Sequence, residues 1–237
     1  MKALLLSAGL GTRLKPITNN IPKCLVPING KPLLEYWLEN LSKIGVNEFL
    51  INTHYLHLKV EEFVKKSIYR DKITLVYEDE LLNTGGTLLK NKNYFNRDES
   101  FFLIHADNLC FCNFDDFINA HLNKPSECVM TMMLFKTDNP SSCGIVDIGF
   151  DRIVKSFYEK VNNPPSNLAN GAVYICDYSI IEFMEGLQKL KIDFSIDVIP
   201  ALIGKIFSYT NTVYHRDIGT IESYNMALQD IDRLHLF

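Results

Sequence analysis

Apolar runs alternate with helical patterns through the first half of the chain. A continuous apolar run predicts a buried strand at Ala3–Ser7, and further strands are predicted at Glu48–Asn52, Ile73–Tyr77 and Phe101–Asp107. Apolar residues at helical spacing predict helices over Leu33–Ile44 and Leu58–Ser67, near Thr87, and over Phe114–Leu122. Asn29-Gly30 predicts a turn, and Gly45 predicts the end of the first helix. Such strand–helix alternation is typical of an α/β fold with a mostly parallel sheet flanked by helices.

The second half of the chain has a less regular pattern. Strands are predicted in CVMTMMLF, GIVDIG, IVKSFYEK and GAVYICD. Helices are predicted over Ser179–Glu185, Ser195–Gly204 and Thr220–Leu234. We interpret this half as an antiparallel extension that completes a single domain over residues 1–237.

Composition narrows the class of protein. The 237 residues are 47% hydrophobic, which is ample for a packed core. A net charge of −4 argues against general nucleic-acid binding, and no apolar stretch is long enough to span a bilayer. The short N-terminal apolar run does not fit a signal peptide, so we expect a cytoplasmic protein without membrane partners. The six cysteines form no CxxC pair, which favours reduced, mostly buried thiols.

The loop after the first strand, GLGTRLKPITNNIPK, carries the main chemical signal. It lacks the P-loop spacing, and Leu14 stands where a Rossmann fingerprint needs a third glycine. Its two glycines would still let backbone amides approach a phosphate, and Arg13 and Lys23 would neutralise phosphate oxygens. A tight turn with solvated cations explains the loop alone equally well.

Further motifs along the chain favour a phosphate-binding loop over a simple tight turn. Gly9-Leu10-Gly11-Thr12-Arg13-Leu14 with Pro22-Lys23 resembles the G-x-G-x-R-L…P-K signature of sugar-phosphate nucleotidyltransferases. The similarity continues in order through GKPLLEYWLENL, ELLNTGG, HADN, EK, NGAVY and RDIGT, which covers nearly the whole chain. The resemblance implies a Rossmann-like, GT-A-type nucleotidyltransferase domain.

The resemblance also implies a reaction and its main residues. In this family a sugar 1-phosphate oxygen attacks the α-phosphorus of a nucleoside triphosphate, and pyrophosphate leaves. Arg13 would hold the leaving phosphates, and Lys23 would stabilise charge at the α-phosphoryl group. Asp107 and Asp217 correspond to the family's two magnesium-binding aspartates, although each alone would be interpreted as a cap or turn residue. Mg²⁺ is therefore the expected cofactor.

The nucleotide is expected to be GTP. The segment Glu80–Gly86 resembles the E-x-L-G-T-[AG]-G segment of guanylyl-transferring members, with Asn83 in place of the usual glycine. Asparagine is the next-best residue where the backbone needs a positive φ. By resemblance, the nucleotide-binding residues are Leu6, Ala8, Gly9, Gly11, Thr12, Glu80, Asn83, Thr84 and Gly85.

The acceptor is expected to bind in the second half. Residues of about 1–125 would hold the nucleotide, and those of about 126–237 would hold the sugar phosphate. By resemblance, the substrate-binding residues are Glu159, Lys160, Asn170 and Gly171. The compact chain most resembles bacterial D-glycero-α-D-manno-heptose 1-phosphate guanylyltransferases, which would place it in surface polysaccharide synthesis. Mannose 1-phosphate is the close alternative.

Two rival functions and the assembly stay open. One rival is a cytidylyl- or uridylyltransferase acting on another sugar phosphate, and the other is a non-catalytic nucleotide-sugar sensor. The presence of Lys23, Asp107 and Asp217 argues against the sensor, which would not need them. The sequence leaves the oligomeric state open, a homodimer being one option.

Overall fold

The fold is mixed α/β, as predicted, and the computed structural model describes residues 1–234. The strands are β1 (Lys2–Leu6), β2 (Pro27–Ile28), β3 (Lys31–Pro32), β4 (Glu48–Thr53), β5 (Ile73–Tyr77), β6 (Phe101–His105), β7 (Asn108–Phe111), β8 (Met130–Lys136), β9 (Gly144–Ile148), β10 (Val154–Glu159), β11 (Leu168–Cys176), β12 (Ile206–Thr210) and β13 (Tyr214–Asp217). The helices are α1 (Leu33–Lys43), α2 (His57–Lys66), α3 (Asn83–Lys90), α4 (Phe114–Leu122), α5 (Ser179–Gly186) and α6 (Ile221–Leu234).

The described chain forms two compact units. The first comprises Met1–Glu80, Ile104–Cys112 and the described residues from Val213 onward. The second comprises Leu81–Leu103 and Asn113–Thr212. The predicted division into a nucleotide half and an acceptor half near residue 125 concerns ligand binding and stays a prediction.

Parallel strands build the first unit. β1 pairs with β4, and β4 pairs with β5, in the order that the crossover helices α1 and α2 require. The apolar stripe of α1 is buried, and Gly45 follows the helix at a φ of 86°, which confirms its predicted role at the helix end. The predicted turn is also confirmed, because Asn29 and Gly30 adopt φ of 48° and 76° between β2 and β3.

One antiparallel pair in the first unit was not predicted. β7 and β13 pair in a register that sets Asp217 opposite Asn108. β6 ends at His105, so the predicted strand Phe101–Asp107 is two residues too long, and Asp107 lies in the turn between β6 and β7. One hydrophobic cluster of the first unit consists of buried residues from the opening loop, β2, α1, β7, the segment after β13, and α6: Leu14, Val26, Ile28, Leu33, Tyr36, Leu109, Ile218, Ala227 and Ile231.

Mostly antiparallel strands build the second unit. β11 pairs antiparallel with β8 and β9, and β9 pairs antiparallel with β10, which confirms the predicted extension. β12 adds a parallel pairing to β8 and was not predicted. The predicted helix Ser195–Gly204 is wrong as a continuous element. A π-helical turn at Phe194–Val198 ends before Pro200, whose missing N–H and fixed ring prevent a regular helix from continuing.

A partly buried polar cluster lies in the second unit. His121 Nδ1 is 3.0 Å from Thr131 Oγ1, and its Nε2 is 3.1 Å from Asp177 Oδ1. Lys124 Nζ lies 3.0 Å from the same carboxylate. Desolvation opposes ionisation of Asp177, but hydrogen bonds from His121 and Lys124 outweigh it and hold the pKa of this carboxyl below its usual range.

Two further features bear on the sequence-based expectations. All six cysteines are free thiols, and four of them are buried: Cys24, Cys110, Cys128 and Cys176. Within the described residues, none of the helices has the length and apolar character needed to cross a membrane.

Candidate active site

Three predicted site residues meet in an ion cluster in the first unit. Lys23 Nζ lies 2.6 Å from Asp107 Oδ2 and 3.2 Å from Asp217 Oδ1. The Lys23 side chain is 9% exposed, whereas the Asp107 and Asp217 side chains are 33% and 52% exposed. One buried ammonium therefore holds two partly exposed carboxylates toward a common point.

The charges of the cluster stabilise one another. Burial opposes the charge of Lys23, but the two carboxylates outweigh burial and raise the pKa of Lys23 above its ordinary value. Desolvation of Asp107 likewise opposes ionisation, but the Lys23 ammonium holds the pKa of that carboxyl below its usual range. The attraction between Lys23 and Asp107 therefore favours the charged form of both groups.

Chain pairing explains why residues so distant in sequence meet. The β7–β13 register places Asp217 at the end of the ladder beside the turn that carries Asp107. The amide of Ile218 also donates to the Asp107 carbonyl at 3.2 Å. Lys23 enters from a 3₁₀ turn that begins after Pro22, whose extended backbone ends the preceding loop.

The glycine loop is fixed by a residue that motif analysis missed. Gly11 adopts a φ of 61°, and a Cβ there would lie 2.9 Å from Thr18 Cγ2. Thr18 is fully buried, and its hydroxyl donates to the Gly11 carbonyl at 2.7 Å. Gly11 is thus required for both backbone conformation and space. The buried, β-branched Thr18 could have been suspected only from its place inside the signature loop.

Two other glycines leave room around the cations. A Cβ on Gly9 would meet no described protein atom within 4 Å, so the backbone there faces open space. A Cβ on Gly219 would lie 2.6 Å from Asp217 Oδ2 and 3.2 Å from Arg13 Nη2. Gly219 therefore lets the exposed Arg13 approach the ion cluster.

A buried network behind the loop was also missed by motif analysis. The Ser7 amide donates to Asn52 Oδ1 at 2.7 Å, and Asn52 Nδ2 donates to Glu78 Oε1 at 3.1 Å. All three residues are buried, with Glu78 1% exposed. Ser7 and Glu78 follow strands β1 and β5, and Asn52 is the penultimate residue of β4, so the network fixes the strand edge from which the loop departs.

His215 is a half-buried titratable group close to the cluster in sequence. It lies in β13, two residues before Asp217. Desolvation lowers the pKa of His215 to about 3, although the Asp107 charge opposes that shift. His215 is therefore neutral at physiological pH and adds no charge near the carboxylates.

The remaining predicted residues of the first unit differ in exposure. Ala8 is buried and Leu6 is half-buried at the end of β1. Thr12 and Glu80 are exposed. Their predicted nucleotide contacts stay predictions.

In the second unit, the predicted base-binding segment opens helix α3. Asn83 adopts a φ of 62°, the conformation expected where the guanylyl-type motif has glycine. Thr84 Oγ1 accepts a hydrogen bond from the Phe194 amide at 2.8 Å. Gly85 is buried and donates its amide to the Ile192 carbonyl at 2.8 Å, so this N–H already has a partner in the protein.

The predicted acceptor residues fall into two pairs, also in the second unit. Lys160 is 64% exposed, lies 3.1 Å from Glu159 and has a φ of 50° just after β10. Asn170 and the buried Gly171 lie where the β8–β11 register is interrupted by a bulge. Such bulges re-aim side chains and are frequent beside functional sites.

Comparison with known proteins identifies the family to which the chain belongs. The nucleotidyl transferase profile matches residues 2–233, and the chain belongs to that family. This confirms the predicted family.

Individual relatives are similar over most of the chain. The "Bifunctional protein GlmU" of Methanococcus aeolicus is 32% identical over 188 residues, which cover 79% of this chain and 43% of the relative. The "Mannose-1-phosphate guanyltransferase" of Schizosaccharomyces pombe is 30% identical over 235 residues, which cover 94% of this chain and 62% of the relative. The chain therefore spans less than two thirds of either curated relative.

A solved structure is similar over nearly its full length. HddC from Yersinia pseudotuberculosis superposes with a TM-score of 0.81 and 28% identity, covering 97% of this chain and 99% of that one. The same protein has also been solved in complex with GMP-PN, with the same TM-score and coverage.

Proposed function

We propose that the protein transfers GMP from GTP to a sugar 1-phosphate, giving a GDP-sugar and pyrophosphate. The observation that carries this proposal is the ion cluster beside the glycine loop. Lys23, Asp107 and Asp217 converge within 3.2 Å, and Arg13 lies near Asp217 across Gly219. Fixed cations and carboxylates next to open backbone suit a triphosphate and its counter-ion.

The two aspartates fit a magnesium ion. Their carboxylates face one point, because both contact the same ammonium nitrogen. Within the described residues, no group of three or more His, Cys, Asp or Glu residues could hold a metal alone. Two carboxylates completed by phosphate oxygens match the usual binding of Mg²⁺. Bound there, Mg²⁺ would neutralise charge on the phosphate oxygens.

The protein's own side chains have separate tasks in this reaction. The sugar phosphate supplies the attacking oxygen, so no protein nucleophile is needed. A bond forms from that oxygen to the α-phosphorus, and the bond from the α-phosphorus to the β-phosphate oxygen breaks. Lys23 would stabilise the negative charge on the α-phosphoryl oxygens, and Arg13 would hold the departing pyrophosphate.

Guanine is the base that the observations favour. Asn83 takes the positive φ that the guanylyl-type segment requires. The similar HddC was solved with GMP-PN, a guanosine nucleotide, and the similar Schizosaccharomyces pombe protein is named a guanyltransferase. The N1–H and 2-amino group of guanine would pair with acceptors of this segment, of which the Glu80 carboxylate is one candidate.

The acceptor is D-glycero-α-D-manno-heptose 1-phosphate in this proposal. The likeness to HddC over 99% of that chain supports a catalytic domain of the same plan. Mannose 1-phosphate is the second candidate, since the Schizosaccharomyces pombe relative is named for it. The exposed Lys160 would contact the acceptor phosphate, with Glu159 and Asn170 facing sugar hydroxyls.

A substrate matrix tests the proposal. GTP, ATP, CTP, UTP and dTTP are each combined with heptose, mannose, glucose and N-acetylhexosamine 1-phosphates in the presence of Mg²⁺. Pyrophosphate release and the mass of the nucleotide sugar are measured. We expect the highest kcat/KM for GTP with the heptose phosphate. Failure to form any nucleotide sugar would overturn the reaction, whereas a preference for mannose or another base would overturn only that part.

A pair of variants ties the activity to the cluster. Asp217→Asn removes one carboxylate charge and should lower kcat by roughly three orders of magnitude, as expected for loss of a main electrostatic stabiliser. Asp232→Asn is the matched control, because Asp232 is exposed on α6 outside the cluster. Equal activity of the two variants would remove Asp217 from the mechanism.

A further inference from the structure

Backbone hydrogen bonds join the predicted base-binding segment to a distant loop of the second unit. The amides of Gly85 and Gly86 both donate to the Ile192 carbonyl, at 2.8 and 3.1 Å. The Ile192 amide donates to the Leu82 carbonyl at 3.2 Å, and the Phe194 amide donates to Thr84 Oγ1 at 2.8 Å. Four hydrogen bonds therefore fix the start of α3 to residues 192–194.

The glycine pair of the segment is required by this contact. A Cβ on Gly85 would lie 2.6 Å from Ile192 Cγ2, and a Cβ on Gly86 would lie 2.7 Å from the Leu190 carbonyl oxygen. Both positions are buried. The glycines thus serve packing between α3 and the loop, in addition to any contact with a nucleotide.

The loop itself is held rigidly. Asp193 caps the π-helical turn by accepting from the Ser195 amide at 2.9 Å. Asp197 accepts from the Asp193 amide at 2.8 Å and pairs with Lys189 at 2.6 Å. These bonds tie residues 189–197 to one another, so a shift of α3 would be passed on to Phe194.

The Phe194 side chain continues the path to the predicted acceptor residue. Its ring packs against the ring of Tyr174, with centroids 5.0 Å apart at 47°. Both residues are 1% exposed. Asn170 Nδ2 donates to the Tyr174 hydroxyl at 2.7 Å, and Asn170 Oδ1 accepts from the Ala172 amide at 2.9 Å. Tyr174 and the bulge therefore set the orientation of the Asn170 amide.

We propose that Phe194 and Tyr174 are positioning residues that couple the base-binding segment, through Thr84, to the acceptor residue Asn170. The inference rests on the proposed function. Nucleotide binding that shifts the start of α3 would shift the loop bonded to it and, through the two rings, Asn170. The acceptor would then bind more tightly to the nucleotide-bound protein. Linkage requires that the sugar phosphate strengthens nucleotide binding by the same factor.

The test measures coupling by calorimetry. The dissociation constant of heptose 1-phosphate is measured with and without a GTP analogue that has a methylene bridge between the α- and β-phosphates. The reciprocal titration of the analogue is also performed. For the wild type we expect at least about fivefold tighter binding of each ligand in the presence of the other, the lower end of typical couplings.

Three variants interrupt the path at different points. Thr84→Val removes the acceptor of the Phe194 amide, Phe194→Leu removes the ring contact, and Tyr174→Phe keeps the ring but removes the bond to Asn170. The coupling factor is the ratio of a ligand's dissociation constants without and with the other ligand. Each variant should reduce this ratio to below about twofold. Ser208→Ala is the control, because it removes a similar hydroxyl–backbone bond of 2.8 Å to Arg152 outside the path. Its coupling should equal that of the wild type.

The outcomes separate this inference from the proposed function. The inference is overturned if the Thr84→Val and Tyr174→Phe proteins fold and still couple the two ligands as strongly as the wild type does. It is also overturned if the wild type shows no coupling between the two ligands. If the wild type still forms the GDP-sugar in either case, the proposed function stands. A wild type that makes no nucleotide sugar removes the proposed function and this inference with it. Tyr174→Phe decides the matter should Phe194→Leu fail to fold, because it changes one oxygen atom only.

Discussion

Replacing Lys23 by methionine should destabilise the protein and make its melting temperature depend on Mg²⁺. Lys23 Nζ lies 2.6 and 3.2 Å from the carboxylates of Asp107 and Asp217. At an effective dielectric constant of about 20, these separations correspond to gross attractions of about 6 and 5 kcal/mol. Burial of the ammonium cancels a large part of that gain. Methionine keeps the apolar stem but leaves two carboxylates facing each other.

The net loss of unfolding free energy can be estimated from the exposure of the two aspartates. Removing one member of a buried ion pair costs about 3–5 kcal/mol. Because Asp217 is 52% exposed and partly screened by water, we expect the lower end, about 3 kcal/mol. For a chain of this size, that loss lowers the melting temperature by about 6–12 °C.

The assay is thermal unfolding at neutral pH, with and without Mg²⁺. A divalent cation can take the place of the lost ammonium, so saturating Mg²⁺ should recover a large part of the loss in Lys23→Met and change the wild type less. Lys66→Met is the control. Its ion pair with Glu62 has the same 2.6 Å length, but both side chains are exposed, so its melting temperature should stay close to that of the wild type.

Two results would refute this reasoning. A Lys23→Met protein that melts within about 1 °C of the wild type without Mg²⁺ would show that the cluster contributes little to stability. An equal effect of Mg²⁺ on both proteins would show that the metal does not replace the ammonium. Turnover of the variant should also fall by about two to three orders of magnitude if Lys23 acts on the phosphoryl group.

Gly85→Ala should destabilise the protein by about 1–3 kcal/mol, because the added Cβ would lie 2.6 Å from Ile192. Gly186→Ala is the control, because a Cβ there would meet no described atom within 4 Å. Equal denaturant midpoints for the two variants would contradict the prediction. Asp177→Asn should flatten the loss of stability in acid. The native pKa of Asp177 is lowered, so its contribution is complete above the unfolded pKa and is lost as pH falls through the native one. The difference in unfolding free energy from wild type should therefore shrink below about pH 4, and a constant difference would exclude the effect. Lys160→Ala should raise KM for the sugar phosphate more than KM for GTP, and an unchanged KM would exclude the acceptor role.

Local patterns in the sequence determined most of the elements. Apolar runs located β1 and β4, because strands covered on both faces need continuous hydrophobic residues. Backbone geometry that only glycine or asparagine tolerates located the turn at Asn29-Gly30 and the helix end at Gly45. The family signature named Lys23, Asp107 and Asp217 before any contact between them was visible.

Only the tertiary structure brought distant segments together. Lys23 lies 84 residues from Asp107 and 194 residues from Asp217 along the chain, and the short strands β7 and β13 that place Asp217 carry no clear apolar period of their own. The same holds for Phe194 beside Thr84, which are 110 residues apart. Periodicity and turn chemistry report on neighbours within a few residues, whereas these contacts depend on which segments pair after long loops close. The sequence by itself therefore determined the elements and the candidate charges, and the pairing of remote strands and loops decided how those charges face one another.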